Sequence, residues 1–303
     1  MRLKILALTT IVSLLVASCK NSYDLSFKPK AGTKYEVLMT TNSITTQEME
    51  GHKIEVKSLT EMAMNYDIEN GGSAGNPDKI IRVTFKSMKA SQSADGQELV
   101  IDTNKPDTSN PSSNIMRAMM GAQFVVRFNS KGEVLDVKGK DELIKKVTDA
   151  TTITSDAMRS QIIAGISNFM SDEILKNMME QSFKIFPDVK VKTGDSWKKS
   201  LIITKPLPMN IENKFTLDKV EGNVANLAIA SVVTPGKGGM EMMGTTIETE
   251  LSGTQSGKME IDMETGLTNV ADINQTISGN MKAMGQTIPM SVNSVITVKM
   301  KKQ

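Results

Sequence analysis

The sequence predicts a mainly β (α+β) protein: one long, curved antiparallel sheet or half-barrel in two similar halves, with a central helical segment packed on it. Three observations predict this. Apolar and polar residues alternate with period two through most of the chain. Apolar residues recur at helical spacing over one long stretch, Gly139 to Pro187. The flanks, 31–138 and 188–303, share a grammar: Gly32-Thr33-Lys34-Tyr35 opens the first, Gly194-Asp195-Ser196-Trp197 the second. We therefore expect a single β-rich domain over 31–303, preceded by an N-terminal address.

That address comes first. Arg2 and Lys4 are followed by an apolar run, Ile5–Val16, too short for a transmembrane helix of roughly 20 residues. Val16-Ala17-Ser18-Cys19 then supplies small residues and a cysteine. A charged start, an apolar core and a small-residue exit describe a secretory signal over 1–18. The cysteine resembles the lipobox of bacterial lipoproteins. That resemblance implies cleavage between Ser18 and Cys19 and lipidation of Cys19. Lys20 is not the Asp that favours retention at the inner membrane, so the expected location is the outer membrane, facing the periplasm. Residues 19–30 are expected to form a tether.

In the first half, strands are expected from Lys34 to about Thr41, with alternation continuing through Ile44, then over Ile54–Ile68 and Ile80–Met88. Glu50-Gly51-His52 is a hairpin turn between two of them, and Gly71–Asp78 and Thr103–Ser113 are loops. Ile115–Met120 is a helical turn or two, and Gln123–Phe128 with Val134–Val137 a further hairpin. In the middle, Asp141 caps one helix, Ser155 or Asp156 starts a second, and Ser171 caps a third that Pro187 ends. The second and third carry Met158, Ile162, Phe169, Met178 and Met179, which we expect to line an apolar groove against the sheet. In the second half, Lys214–Leu217 pairs with Val224–Val232, and Thr246–Ser252, Lys258–Met263, Leu267–Ile277 and Ile288–Met300 continue a meander.

Phe186-Pro187, Val191 and Gly194-Asp195-Ser196-Trp197 resemble a block, P…V..GDSW, of a family of proposed Gram-negative lipoproteins of unknown function. Gly32…Tyr35, Phe128…Gly132…Gly139 and the helices before Pro187 fit the same pattern. The resemblance implies a lipoprotein and no activity. At the level of fold alone, long strands under a helical cover are similar to the half-barrels of lipoprotein carriers of the LolA/LolB type.

Composition excludes most chemistry. One Cys and one His preclude an internal disulfide and Cys/His zinc sites. Lys and Arg number 36; without Arg2 and Lys4 they match the 34 Asp and Glu, a balance unsuited to nucleic acid. Gly71-Gly72-Ser73-Ala74-Gly75 has the spacing of a nucleophile elbow, but Asn76-Pro77 follows where a helix is needed. Gly194-Asp195-Ser196 resembles an esterase block, but no His follows His52 to act as base. His52 reads as an exposed turn residue. Met240, Met242, Met243, Met281 and Met284 have copper-suited thioethers, yet methionine also fills cores and grooves. Asp262, Glu264 and Gly266 have the wrong length for a calcium loop. Carboxylates working alone are the remaining catalytic route. The expectation is a protein with no cofactor and no metal, not an enzyme, whose partners are the membrane through its anchor and an apolar ligand or an envelope protein. A purely structural envelope role is the alternative.

Overall fold

The structure, a computed structural model, describes residues 21–49, 51–72, 75–105, 107, 110–150, 160, 163–164, 167, 170–205, 207–242, 245–283 and 285–303. Two short strands, β1 (Ser22–Tyr23) and β8 (Val191–Lys192), pair with each other. Every other strand joins one sheet. In the first half these are β2 (Lys34–Met49), β3 (His52–Asn70), β4 (Lys79–Ala94), β5 (Gln97–Asp102), β6 (Gln123–Phe128) and β7 (Val134–Lys138). In the second they are β9 (Ser196–Ile203), β10 (Met209–Glu221), β11 (Val224–Pro235), β12 (Gly239–Met242), β13 (Thr245–Asp262), β14 (Thr268–Ala283) and β15 (Gln286–Lys302). Helix α1 (Pro111–Met119) precedes β6 within the first half, and α2 (Lys140–Ala150) and α3 (Asp172–Phe183) lie between the halves.

The 13-stranded sheet is antiparallel and runs β7-β6-β4-β3-β2-β15-β14-β13-β11-β10-β9, with β5 on β4 and β12 on β13. The predicted fold class holds. The two halves are not separate layers: β15, the last strand, pairs with β2 from Met290↔Gln47 to Lys302↔Tyr35. The sheet is open, with β7 and β9 at its two edges. The chain crosses from one edge to the other through the helices.

Curvature has identifiable causes. Bulges interrupt register between Ala63 and Met64 and between Leu217 and Lys219. On β13, a Cβ at Gly253 would stand 2.0 Å from the Thr276 carbonyl oxygen, and one at Gly257 2.2 Å from that of Asp272. Glycines at such approaches let a sheet fold over its own concave side.

The helices begin where capping chemistry allows. Asn110 accepts from the Ser112 and Ser113 N–H groups, and Pro111 sits in the first turn of α1, where a missing N–H costs nothing. This helix starts before the expected Ile115, because the Pro- and Asn-rich stretch is a cap and not only a loop. Ser171 caps α3 as expected, and Asp172 and Glu173 occupy its first turn. The helix stops at Phe183, four residues before Pro187. Most of the helix expected from residue 155 lies outside the described residues, and the described ones within it, 160, 163–164 and 167, are helical.

The core fills the lower half of the concave face. Phe27 is 1% exposed, with its ring 5.3 Å from Phe128 and 5.1 Å from Phe183, and Ile68, Ile81, Phe124 and Leu217 are likewise buried around them. Phe27 and Leu25 belong to the segment expected to be a tether, and here the expectation is corrected. The Phe27 N–H bonds to the Ser130 carbonyl and that of Lys28 to Thr265, so residues 22–28 form a strap across the lower mouth of the sheet. Alternation in this segment is too short to show that the two apolar side chains are the centre of a core.

Candidate functional site: the concave face and the seam

The long strands outrun the core. β2, β3, β4, β13, β14 and β15 have 16 to 19 residues, about 50–60 Å at ~3.3 Å each. On β2 the core-facing positions are Tyr35 and Val37, both buried. Period two places Met39, Thr41, Ser43, Thr45 and Gln47 on the same face, all of intermediate exposure. Register adds Met62, Thr60, Ser58, Val56 and Ile54 from β3. It also adds Ile296, Ser294, Val292 and Met290 from β15. A second cluster of Leu201, Ile203, Ile211, Val233, Leu251 and Ile277 flanks this strip, with Met290 packed against it.

The two faces of these strands differ in charge. None of the inner positions named is Lys, Arg, Asp or Glu. The outer positions on the same strands include Glu36 and Glu48, Lys53, Glu55, Lys57 and Glu61, and Lys299 and Lys301. A face bathed only in water has no reason to exclude charge; a face that loses water against an apolar surface does. The upper concave face is thus a neutral trough of hydroxyl, amide, methionine and branched side chains.

Below it, α3 closes the seam between the two edges. The Glu180 carboxylate, itself mostly buried, accepts the Val134 N–H of β7 at 3.2 Å. From the other edge, Trp197 of β9 donates its indole N–H to the Ile185 carbonyl at 2.6 Å and stacks on Phe215. Asp188 joins both sides, 2.9 Å from Lys131 in the β6–β7 turn and 3.2 Å from Lys199 on β9. Its hydrogen bonds to Lys131 and then Lys199 hold the carboxyl below the usual range. Tyr66, in the aromatic cluster above α3, has its phenol pushed well up by burial.

The residues expected to carry function are placed as follows. Met179 is 1% exposed and belongs to the core, so it lines no open groove, and Met178 packs partly buried against that core. Met158, Ile162 and Phe169 lie outside the described residues, as do Ser18 and Cys19. The Ser73 of the elbow-like loop and the side chains of Met240, Met242, Met243 and Met284 also lie outside them. His52 is exposed at the upper rim. Ser196 shares a hydrogen bond with Thr216 at 2.8 Å, and Asp195 accepts the Lys192 N–H, which is turn chemistry. Asp262 accepts from the Glu264 and Thr265 N–H groups and the Thr265 hydroxyl, closing a hairpin. Among the described residues no three His, Cys, Asp or Glu side chains gather as metal ligands do. A cavity of about 170 Å³ at the lower rim is lined by Lys30, Tyr35, Glu264, Asn269, Met300 and Lys302 among others, and Lys30 is paired with Glu264 at 3.1 Å.

Residues 76–268 match a family of unknown function, DUF6263. The chain belongs to this family. The match runs from the approach to β4 into the start of β14, so it takes in the whole seam. No curated protein matches the sequence. Among solved structures, the COG4313 outer membrane channel from Pseudomonas putida F1 is 8% identical, covering 90% of this chain and 96% of that one at a TM-score of 0.26. The translocator domain of autotransporter NalP from Neisseria meningitidis is 7% identical, covering 89% of each chain at 0.24. OccK5 (OpdH) of Pseudomonas aeruginosa is 6% identical, covering 91% of this chain and 99% of that one at 0.22. At those scores the likenesses carry no argument. No described helix is long and apolar enough to cross a membrane.

Sequence reasoning placed the binding surface on the helices and missed the trough on the strands. The signal was present: on β2, β3 and β15 every charge except the terminal Lys302 falls on one parity of the alternation.

Proposed function

We propose that this DUF6263 member is a lipid-anchored protein of the bacterial outer membrane, facing the periplasm, that binds an uncharged apolar chain in its trough and performs no catalytic step. The charge-free inner face beyond the core carries this reading. An acyl chain laid along it would meet Met, Val and Ile methyls, while Thr, Ser and Gln side chains offer hydrogen bonds to an ester or amide group. The anchor rests on the signal and lipobox pattern ending at Cys19. The test introduces a charge. Purified protein is titrated with a pyrene-labelled diacylglycerol, and Thr60→Lys and Thr45→Lys, both at partly exposed positions of the trough, are compared with the parent. Binding by the parent and its loss in both variants, with urea unfolding unchanged, is the expected result. A parent that binds no such probe and carries no lipid in native mass spectrometry overturns it.

A second reading, an envelope lipoprotein with a purely structural role, is favoured by Met179, whose side chain is taken up by the core. It predicts that neither lysine variant changes any binding.

A further inference from the structure

The strap leaves the anchor almost no slack. Only Lys20 and Asn21 separate Cys19 from Ser22, and Ser22 is already paired with Lys192. The three extended steps from Cys19 to Ser22 reach about 10 Å, little more than the headgroup layer of one leaflet, ~5–8 Å. From Ser22 onward the chain is held by β8, by the buried Leu25 and Phe27, and by the bonds to Ser130 and Thr265. Acylation at Cys19 would therefore seat the lower end of the body on the bilayer, with no room to swing.

The surface at that point has the composition of a membrane contact. Val189 is 74% exposed, although Pro187 and Val191 on either side are buried and Asp188 is held by Lys131 and Lys199. An apolar side chain is thus displayed on a backbone fixed at both ends. Lys190 and Lys192 beside it are exposed, and neither forms an ion pair among the described residues. The nearby acids are Asp24, Asp195 and Asp188, and Asp188 is neutralised by its two lysines. Ile202, nearly as exposed, lies on the outer face of β9, away from the anchor.

We propose that the 187–192 loop with β1 is a membrane-docking face, in which Val189 enters the headgroup layer and Lys190 and Lys192 meet lipid phosphates. The inference rests on the lipid-anchor reading. It sets an orientation: the body stands on its lower end, and the upper rim with β5 and the mouth of the trough faces away from the membrane, about 50 Å out along β2. Basic residues near an anionic surface and a small apolar insertion each add to an acyl anchor.

With Cys19 acylated, Val189→Cys supplies the only free thiol. The acylated protein is placed in vesicles of phosphatidylethanolamine and phosphatidylglycerol and labelled there with a nitrobenzoxadiazole fluorophore. The expected result is blue-shifted emission, quenched by nitroxide-bearing lipid, while the same label on Glu98→Cys in β5 reports water. A water-like label at 189 on anchored protein overturns the docking face and leaves the anchor intact. Failure of the anchor is read separately, as unchanged membrane fractionation of Cys19→Ser. The Cys19→Ser chain is also tested on the same vesicles: weak binding, lowered about tenfold or more by joint Lys190→Glu and Lys192→Glu, supports the face. Absence of binding, or binding indifferent to the two lysines, overturns it whatever the fate of Cys19.

Discussion

Gly132 sits in the β6–β7 turn with φ +74°, and a Cβ there would lie 1.8 Å from the Phe183 carbonyl oxygen at the end of α3. Backbone meets backbone at this point, so nothing flexible gives way. The left-handed conformation alone costs a side chain about 1–2 kcal/mol. Gly132→Ala is expected to destabilise by about 3 kcal/mol, within the range of lesions that force a core element to move. Urea unfolding measures it, and an unchanged midpoint would mean that the turn does not abut the helix. The glycine itself was visible in the sequence as a turn residue; the carbonyl that forbids its replacement was not, since Phe183 is 51 positions away.

At the scale of the element, residues 180–188 work as a clasp between β7 and β9. Glu180 and Trp197 fix the two edges through single hydrogen bonds, and Asp188 is shared by a lysine from each side. Because the folded pKa of Asp188 is depressed, its contribution is present above the unfolded value, ~4, and is lost as pH falls through the folded value. Asp188→Asn is therefore expected to flatten the acid limb of a stability–pH curve below about pH 4, and to lower stability at pH 7 mainly at low salt. Thermal unfolding across pH and salt checks both; a variant with the parent's acid limb would show that the lysines do not hold the carboxylate. The sequence exposed the cap at Ser171 and the acidic first turn of α3, which are local. It did not show that Asp188 spans two sheet edges, because Lys131 and Lys199 approach it from opposite directions along the chain.

At the scale of the whole molecule, the last strand is central. β15 pairs with β14 along Val270–Ala283 and with β2 along Tyr35–Gln47, so the two halves hold together through it. Removing residues 290–303 is expected to abolish cooperative unfolding and near-ultraviolet circular dichroism, not to trim a tail. A truncated chain that unfolds as sharply as the parent would show that the halves fold independently. Pairing a strand near the start with one at the end demands long-range closure, the topology associated with slow folding.

By itself the sequence placed most of the long strands and the start of α3, because alternation, turn residues and caps are written within a few neighbours. It also excluded an internal disulfide and Cys/His zinc sites, because one cysteine and one histidine are a matter of counting. It expected a tether where the structure has a strap, and a groove on α3 where Met179 is core. Only the tertiary structure decided that the halves join through β15, that α3 bridges β7 and β9, and that the neutral parity of the long strands forms one concave surface. Those are contacts between residues far apart in the chain, and periodicity carries no record of which strand lies beside which.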